Sequence, residues 1–167
     1  DDADNLFWSE DSQSIYFAFD NRGERTIKQI SLNGDLNEIA SNVGGTTIGR
    51  PYISGGFHIA NGTAAYTYGK PDRPADVGVA IKGKTKVLTQ LNEDILGYRK
   101  LGKVNEIIYN SSFDNEEIHG WYITPPNFDP SKKYPLILEI HGGPHLAYGP
   151  HFSAELQMMA ASGYIVF

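Results

Sequence analysis

The chain has 167 residues, 40% hydrophobic and 12% aromatic, a balance that supports a folded protein with a buried core. A formal net charge of -6, a pI near 5.3 and the lack of a Lys/Arg cluster argue against a duplex nucleic-acid surface or an anionic membrane as the main partner. The absence of cysteine excludes disulfides, CxxC zinc sites and a cysteine nucleophile, and tilts the expected compartment toward the cytoplasm.

No stretch approaches 18 apolar residues, and the start DDADNLFW carries neither an initiator Met nor a basic n-region, so no membrane span or secretory signal is expected. The other end, Gly163-Tyr-Ile-Val-Phe167, reads as a buried strand without a cap or polar tail. The sequence is accordingly expected to be an internal piece of a longer protein.

From residue 1 to about 97 the pattern is strand and turn. SIYFAF (14 to 19) is followed by the turn Asp20-Asn-Arg-Gly23, TIKQISL (26 to 32) and the turn Asn33-Gly34. A second round brings TAAYTYG (63 to 69), a Pro/Asp-rich turn KPDRPAD (70 to 76), VGVAI (77 to 81), the break Lys82-Gly83 and KVLTQL (86 to 91). Each round takes roughly 40 to 50 residues, the length of a four-stranded propeller blade, and WSEDSQSIYFAF has the aromatic, turn, strand rhythm of one. A fragment of a β-sandwich is the alternative.

After residue 97 the grammar changes. EIIYNS (106 to 111) and EIHGWYITPP (117 to 126) are predicted strands joined by a tight turn at Asp114-Asn115. A polar loop, NFDPSKKYP, then feeds LILEIHGG (136 to 143), where Glu139 is the sole polar residue before the histidine, as in a strand covered on both faces. Ser153 is placed to cap a helix, AELQMMAAS, with Phe152, Leu156, Met159 and Ala160 on one stripe and Gly163 just past its end. A further strand begins at Tyr164, so the order is that of an opening three-layer α/β domain.

The segment EIHGGPHLAYGPH holds His141, His145 and His151 at the spacing of a zinc-protease HExxHxxxxxH signature. Such a site needs a helix to put its histidines on one face and a Glu beside the first of them. Here Gly142, Gly143 and Pro144 follow His141, an interior Gly costing a helix about 1 kcal/mol and a Pro about 3, and Gly142 stands where the Glu belongs. No metal and no other cofactor is expected. The same residues suit a loop at the C-terminal end of a buried strand, where glycines let peptide N–H groups approach a substrate oxygen. An oxyanion loop and an ordinary Gly/Pro turn are both compatible with HGGP alone.

The longer passage EIHGWYITPPNFDPSKKYPLILEIHGGPHLAYG resembles the prolyl oligopeptidase family of serine peptidases, in its acylaminoacyl-peptidase and dipeptidyl-peptidase-like branch. The resemblance is dense over residues 104 to 167 and extends to residues 1 to 97 only as propeller-like rhythm. It implies the C-terminal blades of a β-propeller (1 to 97) followed by the first strands and helix of an α/β-hydrolase domain (98 to 167). It also implies that His141, Gly142, Gly143 and Pro144 form the oxyanion loop, with the Gly143 N–H as donor, and that the substrate is a peptide. Asn115 stands where relatives often carry glycine, which alters a turn and leaves the assignment intact.

Other residues have blander readings. His145 and His151, beside Tyr148, would either line the substrate channel or sit on a surface loop. His58 and His119 lie in strands as structural residues, and Glu116-Glu117 as a solvated turn, although acidic side chains can hold a peptide amine. Trp8, Trp121, Tyr66 and Tyr68 alternate as core aromatics do, and Lys82-Gly-Lys-Thr85 lacks the earlier glycine of a phosphate loop. No GxSxG motif occurs, so the serine, acid and base of the implied triad lie outside this sequence, and the chain alone is expected to be inactive. An esterase or lipase of the same fold and a non-catalytic propeller module for protein binding are the alternatives. Cut sheets with open edges also lead us to expect self-association.

Overall fold

The computed structural model describes residues 3–167. Residues 3–87 form two antiparallel meanders. The first runs through β1 (Ala3–Trp8), β2 (Ser14–Asn21), β3 (Glu24–Ser31) and β4 (Leu36–Val43). The second runs through β5 (Phe57–Ala60), β6 (Thr63–Lys70), β7 (Arg73–Ile81) and β8 (Lys84–Val87). They meet where Val43 pairs with Tyr68.

Two-residue turns close three of the hairpins: Arg22-Gly23, Asn61-Gly62 and Lys82-Gly83. In each, both residues have positive φ, the geometry that matches the twist of a tight hairpin. Asn, Gly and a flexible cation at these sites are thus the sequence cause of the meander.

The core lies between the meanders, on Ala18, Ile27, Ala40, Val43, Phe57, Ala64, Tyr66 and Ala80. In β7 the buried face carries Pro74, Asp76, Gly78 and Ala80, while Val77 and Ile81 point outward. The small residues lie inside because the Tyr66 ring covers Gly78, where a Cβ would come within 2.6 Å of it. Asp76, 2% exposed, accepts from Thr89 Oγ1 and from the Leu91 N–H, both at 2.8 Å.

Several sequence expectations need revision here. The turn predicted over residues 70 to 76 is confined to Pro71-Asp72, and Arg73 to Asp76 already belong to β7. Pro74 is tolerated because the register shifts between Tyr68 and Lys70 on the facing strand, so no regular ladder bond is lost. The strand predicted over residues 86 to 91 ends at Val87, where Thr89 and Leu91 turn in to satisfy Asp76. Trp8 is no core residue: β1 is an edge strand and leaves it 59% exposed.

A short helix α1 (Glu93–Leu96) leads to the second sheet. Strands β9 (Lys103–Asn110) and β10 (Glu117–Thr124) form a hairpin, followed by β11 (Leu136–Ile137), helix α2 (Ala154–Ala161) and β12 (Ile165–Val166). The sheet order is β11-β12-β10-β9, with β11 and β12 parallel and the remaining pairs antiparallel. Helix α2 is the crossover between the two parallel strands. Its Leu156 and Ala160 bury against Ile123 and Val166, and the Gln157 amide exchanges hydrogen bonds with both backbone groups of Gly102. Ser153 caps it by accepting from the Leu156 N–H, and Gly163 follows it at φ +96°.

The run from Leu136 to Ile140 departs from expectation. Regular pairing stops at Ile137, and Leu136, Leu138 and Ile140 are 62%, 59% and 77% exposed. The reason is coverage: Ile137 turns to the face packed by α2, whereas Leu136, Leu138 and Ile140 share the opposite face, which no described element covers. No helix among the described residues is long and apolar enough to cross a membrane.

Candidate active-site loop

Strand β11 delivers the chain to the loop of interest. The Glu139 N–H still donates to the Phe167 carbonyl at 2.7 Å, after which the backbone leaves the sheet and residues 141 to 147 lie exposed. Gly143 has φ +141°, a conformation closed to side-chain-bearing residues, and an added Cβ would stand 3.0 Å from the Leu146 nitrogen. The Gly143–Pro144 peptide is cis. Among the described residues, neither the Gly142 nor the Gly143 N–H donates to a protein acceptor. The loop therefore presents peptide donors at the C-terminal end of a strand.

The histidines part company. His141 turns Nδ1 toward its neighbour's carbonyl, 3.0 Å from Gly142 O, and sets its ring 5.4 Å from that of Tyr148. His145 is exposed in the loop. His151 belongs neither to a surface loop nor to a channel: it is 6% exposed, and its Nε2–H donates to the Gly23 carbonyl at 3.0 Å. It is buried because Gly44 and Gly149, lacking side chains, leave room for its ring. Burial pushes its pKa below the usual histidine value, the carbonyl acceptor and Asp20 only partly opposing. No group of three His, Cys, Asp or Glu among the described residues is placed to hold a metal ion.

Of the other singled-out residues, His119 stacks on Trp121 at 4.5 Å and bonds Glu106 at 2.7 Å, within the β9–β10 hairpin. His58 is an exposed β5 residue whose ring meets Phe7 edge-on. Glu117 lies 3.7 Å from Arg22, and Glu116 belongs to the exposed hairpin turn.

A feature that sequence reasoning missed holds the loop in place. The connection between β4 and β5 runs beneath it: Tyr52 bridges to Tyr148, the Ile53 N–H donates to the Ala147 carbonyl at 3.1 Å, and the Gly149 N–H donates to the Pro51 carbonyl at 3.0 Å. The Tyr52 and Tyr148 rings meet edge to face at 4.8 Å, and the Tyr148 hydroxyl donates to Glu139 Oε1 at 3.3 Å. Burial and the Tyr52 hydroxyl push the Tyr148 pKa up to about 12, so it stays a protonated donor. From the same connection Arg50 bonds Glu139 and grips Glu155, with Nε 3.0 Å and Nη2 3.2 Å from the two Glu155 oxygens. Burial opposes the Arg50 charge, but Glu139 and Glu155 more than offset it and its pKa lies above the ordinary arginine value. The one local signal was Glu139 itself, an acid within an apolar run.

No family model matches the chain. Curated proteins do. The chain is 31% identical over 162 residues to the uncharacterized peptidase YuxL of Bacillus subtilis, covering 95% of this chain and 23% of that protein. It is 27% identical over 169 residues to a probable dipeptidyl-peptidase 5 of Aspergillus clavatus, covering 98% and 22%. The Pyrococcus horikoshii acylaminoacyl peptidase superposes with a TM-score of 0.76 at 26% identity, over 98% of this chain and 24% of that one.

The mostly antiparallel architecture is thus that of the propeller-like portion of peptidase structures. The proteins it matches are named as peptidases, including the acylaminoacyl-peptidase and dipeptidyl-peptidase kinds, in keeping with the resemblance to the prolyl oligopeptidase family read from the sequence. It spans about a quarter of the length of the proteins it matches.

Proposed function

We propose that the protein is a serine-type peptidase hydrolysing short peptides through an acyl-enzyme. In this reading residues 1 to 97 are blades of a β-propeller, and residues 98 to 167 open an α/β-hydrolase domain whose serine, acid and base lie outside the present 167 residues. The observation that supports it most is the glycine loop leaving β11, with Gly143 at a φ only glycine holds and its N–H free of protein acceptors among the described residues.

The chemistry follows from that donor. A serine oxygen, its proton taken by a histidine, attacks the scissile carbonyl, and negative charge gathers on the carbonyl oxygen. An N–H fixed by the loop backbone stabilises that charge without having to reorient during the reaction. Collapse of the tetrahedral intermediate expels the amine, which takes the proton from the histidine, and water then releases the acyl group. The neighbouring names, acylaminoacyl peptidase and dipeptidyl-peptidase 5, suggest cleavage close to a peptide N-terminus.

The test is fluorophosphonate labelling of the full-length protein and of this chain in parallel, read by intact mass. The full-length protein should gain one label and the 167-residue chain none. A folded full-length protein that takes no label would overturn the peptidase reading. Within a labelled protein, Gly143→Ala should lower kcat by about 10² with little change in KM, because alanine cannot hold φ +141° and the donor swings away.

A further inference from the structure

Resting on the peptidase reading, we infer that Arg50 is a positioning residue for the reaction: from the connection between the two meanders it clamps both ends of the oxyanion loop and sets where the Gly143 N–H points. The loop leaves the sheet after Glu139 and re-enters regular structure at Ser153, the cap of α2. Arg50 holds one carboxylate at each of those ends, Glu139 before the loop and Glu155 in the first turn of the helix after it.

Three further features show that the clamp is built into the fold. The two residues just before Arg50 reach the far end of the same loop, since the Ile48 carbonyl accepts from the Ala154 N–H at 2.8 Å and the Gly49 carbonyl from Ser153 Oγ at 2.7 Å. Glu139 is shared, taking the Tyr148 hydroxyl on the same oxygen that faces Arg50. Tyr148 in turn supports the His141 ring, so a chain of contacts runs from Arg50 to the residue before the glycines.

The Arg50 guanidinium is already engaged by two carboxylates, with Nε and Nη2 facing Glu155 and Nη1 facing Glu139. Its planar fork suits this double duty, and lysine's compact ammonium cannot reproduce the two-toothed grip on Glu155. The clamp also explains why Glu139 tolerates its place among Leu136, Ile137, Leu138 and Ile140. It is an anchor presented by a strand end.

The experiment uses the full-length protein with Arg50→Met, Arg50→Lys, Glu139→Gln and the Arg50→Met/Glu139→Gln double variant. Arg50→Met should lower kcat on a short peptide by about tenfold or more at nearly constant KM, as expected when a reacting group is displaced by a fraction of an ångström. Arg50→Lys should recover part of that loss. The double variant should be no slower than the worse single one, since the two side chains act as a unit. Amide hydrogen exchange read by mass spectrometry should quicken in peptides covering residues 140 to 148, a readout independent of turnover.

Arg50→Met with unchanged kcat per folded molecule and unchanged exchange in that loop would overturn the inference while a labelled wild type kept the peptidase reading. A drop in melting temperature alone, with kcat intact, would also overturn it. A wild type without label or turnover would remove both.

Discussion

At the residue scale, His151 makes the fold sensitive to acid. Its ring is buried between the β2–β3 turn and Gly44 of the β4–β5 connection, with Asp20 and Arg25 the charged groups acting on it. Because burial lowers its pKa in the folded state, the unfolded chain takes up the proton first as pH falls. The stabilisation is therefore complete above about pH 6.5 and is lost as pH drops from there toward the depressed folded value. Urea unfolding at pH 7.5, 6.5 and 5.5 should show a falling midpoint, and His151→Gln should flatten that dependence. An identical slope in the variant would assign the acid sensitivity to other groups.

At the element scale, α2 is the best case of structure legible in sequence. Ser153, the apolar stripe of Phe152, Leu156 and Ala160, and Gly163 each take the place that capping and periodicity assign them. Ser153 is also 1% exposed and donates to the Gly49 carbonyl, so its hydroxyl serves the helix and the β4–β5 connection at once. Ser153→Ala should cost about 1 to 2 kcal/mol, the upper part of the range for an N-cap, because the hydroxyl's bond to the Gly49 carbonyl is lost too. Chemical denaturation measures it, and a loss of a few tenths would show that water takes over the hydroxyl's role.

The hairpin turns were legible for the same local reason: Arg22-Gly23 and Lys82-Gly83 declare their backbone conformation in their composition. β4 and β5 were not, because LNEIASNV and FHIA alternate weakly, even though each pairs with the strand adjacent to it in sequence. The glycine loop was found, but the elements that fix it were not. Arg50 lies 89 residues before Glu139, and no local pattern announces a pairing of that span.

At the scale of the whole molecule, the two sheets are joined by more than one contact, and this governs how they unfold. The β4–β5 connection, which belongs to the first sheet by sequence, is bonded to the loop and helix cap of the second through Ile48, Gly49, Arg50, Tyr52 and Ile53. On the other side of the junction the ring of Trp121 in β10 lies over Gly23, where an added Cβ would come within 2.6 Å of its Cζ2, and His151 bonds that same glycine. Neither sheet can open without exposing part of the other's support. A single cooperative transition is the expected outcome. The two tryptophans permit a direct test, since Trp8 lies in the first sheet and Trp121 at the junction. In Trp8→Phe, the fluorescence of Trp121 should lose its native signal at the same urea concentration as the far-UV circular dichroism, which the first sheet dominates. Separate midpoints would show two independent units, and the clamp at Arg50 would then join bodies that do not share their stability.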